Sequence, residues 1–252
     1  MQSKKFYYHN LGYWFLLFII LVIAGFYTTY FTRILEPTPA VIHIHFVLMT
    51  QWLLLLIAQP FLIKYKKLSW HRILGKASYI LVPLLLITGF LLIRNEYYRN
   101  LEGLNQAVLT GQKQLSQPEI LKEIAATPIG LFYLTWFMVF YGLAIRNRRQ
   151  SPKHARYMLA TALTLTGPTV DRIVGIHFHI YTVAGISSFI ISFLIIDIVL
   201  ALLLFLDYRN KKETKTLWTC LLIYTIGQFL YYLLPTFDWW AEFMKFIMLP
   251  KP

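Results

Sequence analysis

Residues 40–63 read AVIHIHFVLMTQWLLLLIAQPFLI, and they run into KYKKLSWHRILGK at 64–76 and then into a second apolar stretch ending at Arg94. One helix needs about 20 apolar residues to cross the hydrocarbon core of a bilayer. A turn rich in Lys and Arg between two such stretches marks a cytoplasmic connector. The same unit recurs outward from here, which predicts an all-α integral membrane bundle of seven transmembrane helices at 12–35, 40–63, 74–94, 128–146, 155–175, 180–206 and 216–235.

Composition supports the pattern. Hydrophobic residues make up 58% of the 252-residue chain and charged residues only 14%, which is lipid-facing rather than soluble composition. Seven spans leave little chain for a second domain, so 1–252 is read as one domain, with an outer loop at 95–127 and an interfacial amphipathic tail at 236–252. The net charge of +13 does not imply nucleic acid, because the basic residues sit in short connectors beside apolar spans. Cys220 is the sole cysteine, which excludes an intramolecular disulfide and a cysteine metal cluster. The first 31 residues carry Lys4 and Lys5 ahead of a long aromatic run without a small-residue cleavage site, and so read as a retained first helix.

Sixteen of the 24 Lys and Arg fall in the stretch before span one and in the connectors 64–76, 146–156 and 207–215. That asymmetry places the N-terminus in the cytoplasm and the C-terminus outside. The outer connector 95–128 includes EILKEIAA at 119–126 after Pro118, a short-helix signal. In the tail, FDWWAEFMKFIMLPKP at 237–252 has the pattern of a helix lying in the outer interface.

The candidate chemistry lies in the histidines. His43 and His45 open span two, and His177 and His179 follow Asp171 and Arg172 near the outer end of span five. At about 100° per residue His43 and His45 diverge by about 200°, so one turns inward and the other does not. His45 shares a seven-residue stripe with Trp52 and Gln59, which favours His45 as the inward one. On the cytoplasmic side His71 precedes span three and His154 opens span five. Imidazole is a preferred axial ligand of haem iron, and two from different helices clamp a haem in a bundle.

This placement of one histidine pair towards each face, over spans two to five, resembles membrane b-type cytochromes of the b561 kind. The segments SWHRILGKASYILV and KHARYMLATALTLTGP are similar to those of uncharacterised bacterial multi-pass membrane proteins that carry His-Arg-x-x-Gly after a His- and Gln-bearing helix. The resemblance implies haem b in a protein of the bacterial plasma (inner) membrane, exchanging electrons with quinone or a respiratory-complex subunit. His71 and His154 sit at helix ends among Lys and Arg, a solvated setting, so the expected ligands are the outer ones, His45 with His177 or His179. Arg172 then suits a propionate or another anion.

Two other classes compete. Three histidines and an open position suit catalytic zinc, so His45, His177 and His179, with Asp171 as base, form an alternative zinc or copper site for membrane hydrolysis or metal delivery. Seven-helix hydrolases of the ceramidase and adiponectin-receptor type carry His-x-x-x-His in the last span, whereas 216–235 has no His. A non-enzymatic scaffold or small-ligand receptor is the third reading; 217–235 lacks the Lys that a retinal Schiff base needs. Asp197 lies well inside span six, where a charged carboxylate costs about 2.5–3.5 kcal/mol. It is a candidate proton or ion site, with Gln51, Gln59, Gln228 or a Tyr as partner.

Overall fold

A computed structural model describes residues 10–126 and 128–249. Lys4 and Lys5, used above to assign topology, lie outside the described residues. The chain folds into helices α1 (Leu11–Phe26), α2 (Ala40–Lys64), α3 (Leu68–Leu109), α4 (Gln117–Ala125), α5 (Ile129–Arg146), α6 (Ser151–Leu163), α7 (Thr166–Arg172), α8 (Phe189–Arg209), α9 (Lys215–Leu233) and α10 (Asp238–Met248). A two-residue hairpin, β1 (Thr182–Val183) and β2 (Ile186–Ser187), precedes α8. Five helical runs are long and apolar enough to cross a membrane: α2, α3, the run whose apolar part is α5, α8 and α9. Their outward side chains, such as Leu54, Ile80, Ile87, Ile198 and Leu202, stay exposed, which is how a helix behaves when lipid is its solvent.

Several of the seven expected spans differ, and the first and fifth are not single membrane-length helices. The first stops at Phe26 after 16 residues instead of reaching residue 35, because the chain turns through a short 3₁₀ segment at Phe31–Arg33 and the Glu36–Pro39 stretch. The fifth, expected as one helix over 155–175, is broken into α6 and α7. Pro168 has no N–H to offer the Thr164 carbonyl, and the hydroxyls of Thr161, Thr164 and Thr169 bond back to carbonyls three or four residues earlier, which competes with straight helix. After α7 the chain widens into a π-turn, Ile173–His177. Shelter from lipid makes this polar segment tolerable: Arg156, Tyr157 and Leu159 through Leu163 are all buried.

Span six also starts later than expected, at Phe189. Residues 182–187 pair instead as the hairpin, with Ala184 and Gly185 both at positive φ, the backbone a two-residue type I′ loop requires. The connector expected over 95–127 is largely helical. α3 continues to Leu109, and at 42 residues it is about 63 Å long, twice the hydrocarbon thickness.

Two clusters form the core of the bundle. One gathers Trp136, Phe140, Ile196, Leu200, Leu217 and Tyr224 from α5, α8 and α9; the other gathers Phe15, Trp52, Leu56, Leu81 and Leu85 from α1, α2 and α3. Cys220 packs in the first, fully buried. Gly167 lies flush against the Tyr133 ring, so a Cβ there would overlap ring atoms. Ala normally gains about 1 kcal/mol over Gly inside a helix, yet Gly167→Ala is expected to lose about 1–3 kcal/mol by overpacking. Thermal unfolding in detergent decides which effect wins, and an unchanged or raised midpoint would contradict the steric argument.

A third cluster lies beyond the bundle, where Tyr97, Ile120, Ile124, Trp240, Met244 and Met248 join the end of α3 to α4 and α10 in a small lobe. Ser116 and Glu119 staple the start of α4: the Glu119 carboxylate accepts from the Ser116 N–H at 2.7 Å and its hydroxyl at 2.6 Å. These bonds hold the Glu119 pKa below its ordinary value, and the hydrogen bond and charge of Lys122 do the same for Asp238. Both contributions are therefore complete above the unfolded-state carboxylate value and disappear as pH falls through the lower folded values. Protection factors of the α4 amides, taken against the intrinsic exchange rate at each pH, are expected to fall on acidification through that window, and less so in Ser116→Ala, where the staple is already cut.

Candidate functional site

The basic connectors gather at one end of the bundle, and there the first turns of α3 and α6 bring His71 and His154 to a common cavity of about 160 Å³. Its wall is largely apolar, with Phe15 from α1, Trp52 and Leu56 from α2, and Met158 and Leu159 from α6; Gln59, Ser78 and Ser151 add polar groups. The two imidazoles are held differently. Nδ1 of His154 lies 2.9 Å from the Ala144 carbonyl oxygen, one of the four carbonyls that the end of α5 leaves without a helical partner. A carbonyl only accepts, so Nδ1 carries the proton and Nε2 of His154 keeps its lone pair.

His71 meets the Gln59 side chain instead. With the amide oriented so that every contact pairs a donor with an acceptor, its NH₂ donates to His71 Nδ1 and to the His71 carbonyl at 3.3 Å, and its oxygen accepts from Gly75 N–H at 3.1 Å. His71 Nδ1 is then an acceptor and the ring proton sits on Nε2. The pair thus offers one donor, His71 Nε2–H, and one acceptor, His154 Nε2. Trp52 adds an unused donor: it is 1% exposed, lines the cavity, and its indole N–H has no partner. An orphaned buried donor beside a cavity is unusual enough to require an explanation. Ser78 Oγ is engaged, donating to Gly75 O at 2.6 Å and lying 2.8 Å from Tyr141 OH.

At the opposite end the histidines disperse. His43 Nδ1 lies 3.1 Å from Tyr30 OH, while His45 Nδ1 lies 2.9 Å from Thr88 Oγ1 on α3; the divergence expected from their spacing is present, with His45 turned towards the neighbouring span. His177, wound round by the π-turn, meets the Ala24 carbonyl on α1 through Nε2 at 2.9 Å. His179 is exposed, at φ +53°. An extended turn pointing His177 and His179 the same way is therefore not what forms.

Among the described residues no three His, Cys, Asp or Glu side chains form a metal donor set. The members of the expected zinc or copper centre, His45, His177, His179 and Asp171, bond to different partners: Thr88, the Ala24 carbonyl, Tyr181 and Tyr133. Asp171 accepts from Tyr133 OH at 2.7 Å, and Arg172 donates to the Pro168 carbonyl at 2.8 Å and lies over the Phe26 ring. As expected of adjacent residues on a helix, the two reach different neighbours. Asp197 accepts from Gln228 at 3.0 Å, one of its foreseen partners.

Sequence reading placed Gln59 on the correct stripe but not against His71, and it passed over Ser78. It also missed the buried Arg156–Asp207 pair, because Asp207 was counted with a basic connector. Comparison with protein-family models, with curated proteins and with solved structures gives no match.

Proposed function

We propose that this multi-pass membrane protein binds the head ring of an isoprenoid quinol in the cavity between His71 and His154, on the cytoplasmic side. The observation that carries the reading is the complementary pair of imidazoles in an apolar cavity the size of one substituted ring. Cavities of about 150 Å³ take benzene, so about 160 Å³ holds a single ring, with its apolar tail left to the bilayer. One quinol O–H donates to His154 Nε2, and the other oxygen accepts from His71 Nε2–H. The oxidised ring has two carbonyls, and one of them would face the His154 lone pair. The quinol is therefore the better ligand, and the protein is a binding partner of the reduced quinone pool.

A second reading keeps the haem b of the b561-like resemblance but moves it from the expected outer ligands, His45 with His177 or His179, to His71 and His154 as axial ligands. Two imidazoles from different helices with engaged Nδ1 atoms favour it, although a cavity of about 160 Å³ would have to open to take a macrocycle. It requires the Gln59 amide turned over, so that His71 Nδ1 donates and both Nε2 atoms are free for iron. The haem would supply one-electron transfer, and the basic residues flanking both histidines would meet its propionates.

Detergent-purified protein separates these readings. A reduced-minus-oxidised visible spectrum with a near-stoichiometric b-type band, lost in His71→Ala and His154→Ala, would displace the quinol reading. The same band lost only in His45→Ala or His177→Ala would return the haem to the outer pair. In the quinol reading the protein is colourless, and a short-chain quinol quenches tryptophan fluorescence at lower concentration than its quinone. Absence of both signals leaves a scaffold or another small ligand.

A further inference from the structure

Helix α10 presents three faces. At 100° per residue, Trp240, Ala241, Met244 and Met248 form the buried stripe. Asp238, Glu242 and Lys245 form a polar one. Trp239, Phe243 and Phe246 form a third, 54%, 43% and 65% exposed. The buried stripe is tied down by the Trp240 indole donating to Ala125 O at 2.9 Å, by Arg94 donating to Met248 O at 2.8 Å, and by the Lys122–Asp238 ion pair at 2.6 Å. The aromatic stripe makes ring contacts along the helix, Trp239 with Phe243 at 6.3 Å among them, and still presents about half of its surface outward.

Its location says what covers it. Only Leu234–Phe237 separate the end of α9, a membrane-crossing helix, from α10, so α10 starts at the level where the lipid-facing surface ends. The hairpin reaches the same level, since Tyr232 near the end of α9 donates to Ser187 O at 3.4 Å. The segment leading into it also exposes rings, Phe178 and Tyr181, each 66% exposed. Aromatic rings at this depth are the usual content of the membrane–water boundary.

We infer that Trp239, Phe243 and Phe246 seat in the headgroup–acyl boundary of the outer leaflet, with the Phe178 and Tyr181 rings beside them, so that the lobe of α3, α4 and α10 is docked on lipid. The polar stripe then faces water, and the three ties to α10 fix the tilt of the whole lobe over its end of the bundle.

The full chain, carrying W239C, F243C, F246C or E242C, is labelled with an environment-sensitive fluorophore and reconstituted in phosphatidylcholine–phosphatidylglycerol vesicles; buried Cys220 stays native. Labels at 239, 243 and 246 are expected to be quenched several-fold more than the label at 242 by lipids brominated near the headgroup end of the acyl chain. Aqueous iodide should show the reverse order. Equal iodide quenching at all four positions would overturn the inference. So would protection from both quenchers together with cross-linking between copies, which would put a second copy of the chain on this face.

Discussion

Arg156→Ala is expected to destabilise the purified protein by about 3–5 kcal/mol, the cost of leaving one member of a buried ion pair without its partner. Arg156 is 1% exposed and Asp207 0%. The guanidinium donates twice to Asp207 Oδ2, through Nε at 2.8 Å and through its terminal nitrogen at 2.7 Å, and once to the Pro152 carbonyl at 2.8 Å. Glu213 stands 3.9 Å away and accepts from the Thr216 N–H at the start of α9 at 2.8 Å. One side chain therefore ties α6 to the ends of α8 and α9. Removing it takes from the fully buried Asp207 carboxylate the counter-charge and the two hydrogen bonds that α6 supplies. The apolar replacement R156M/D207L removes both charges and is expected to recover most of the loss, because desolvating the pair offsets much of its attraction. Thermal unfolding of the two single variants, R156A and D207A, and of the double variant tests this. Single variants within about 1 kcal/mol of wild type would show that the pair behaves like an exposed surface salt bridge.

The pair also bears on the site. Arg156 lies two residues after His154, and its bond to Pro152 spans the turn that carries the histidine. Loss of Arg156 should therefore loosen the cavity as well as the fold.

The difference between what could and could not be read beforehand is one of range. Span positions follow from local apolar runs, so α2, α5, α8 and α9 end within a few residues of expectation, except where β-branched residues and an Ala-Gly turn took 182–187 out of the sixth span. The break between α6 and α7 has a local signal in Thr166-Gly167-Pro168-Thr169, since Pro168 cannot donate to the Thr164 carbonyl. How far that break turned the chain depended on what packs around Tyr133 and Gly167. The site failed for a related reason. Lys and Arg around His71 and His154 suggested solvated helix ends, and one-dimensional reading could not tell that α1 and α2 close over the imidazoles. Nor could it tell that the π-turn would send His177 to α1. The direction of His45 was legible, because a seven-residue stripe with Trp52 and Gln59 is a property of a single helix.

His154→Ala is expected to weaken quinol binding by about 10–100-fold, the effect of about 1–3 kcal/mol for a hydrogen bond whose buried partner is left unsatisfied. Its Nε2 is the acceptor the quinol O–H needs, and the other imidazole at the cavity, His71, presents a proton at Nε2 instead. His71→Ala removes the donor and should weaken quinol and quinone alike, since both oxidation states accept a hydrogen bond from Nε2–H. The preference for quinol should therefore collapse in His154→Ala and survive in His71→Ala. Gln59→Ala provides the finer test, because the Gln59 amide is engaged with His71 and Gly75. By releasing Nδ1 of His71 it frees the ring to take either tautomer, so part of the population would offer a lone pair where the ligand needs a proton. Binding should weaken less than in His71→Ala, and Gln59→Glu should reverse the tautomer by accepting from Nδ1–H. A fluorescence titration of each variant with reduced and oxidised short-chain quinone gives the full set of affinities. If His154→Ala and His71→Ala lowered both affinities by the same factor, the complementary roles of the two imidazoles would be lost, and with them the argument for quinol over a symmetrically liganded haem.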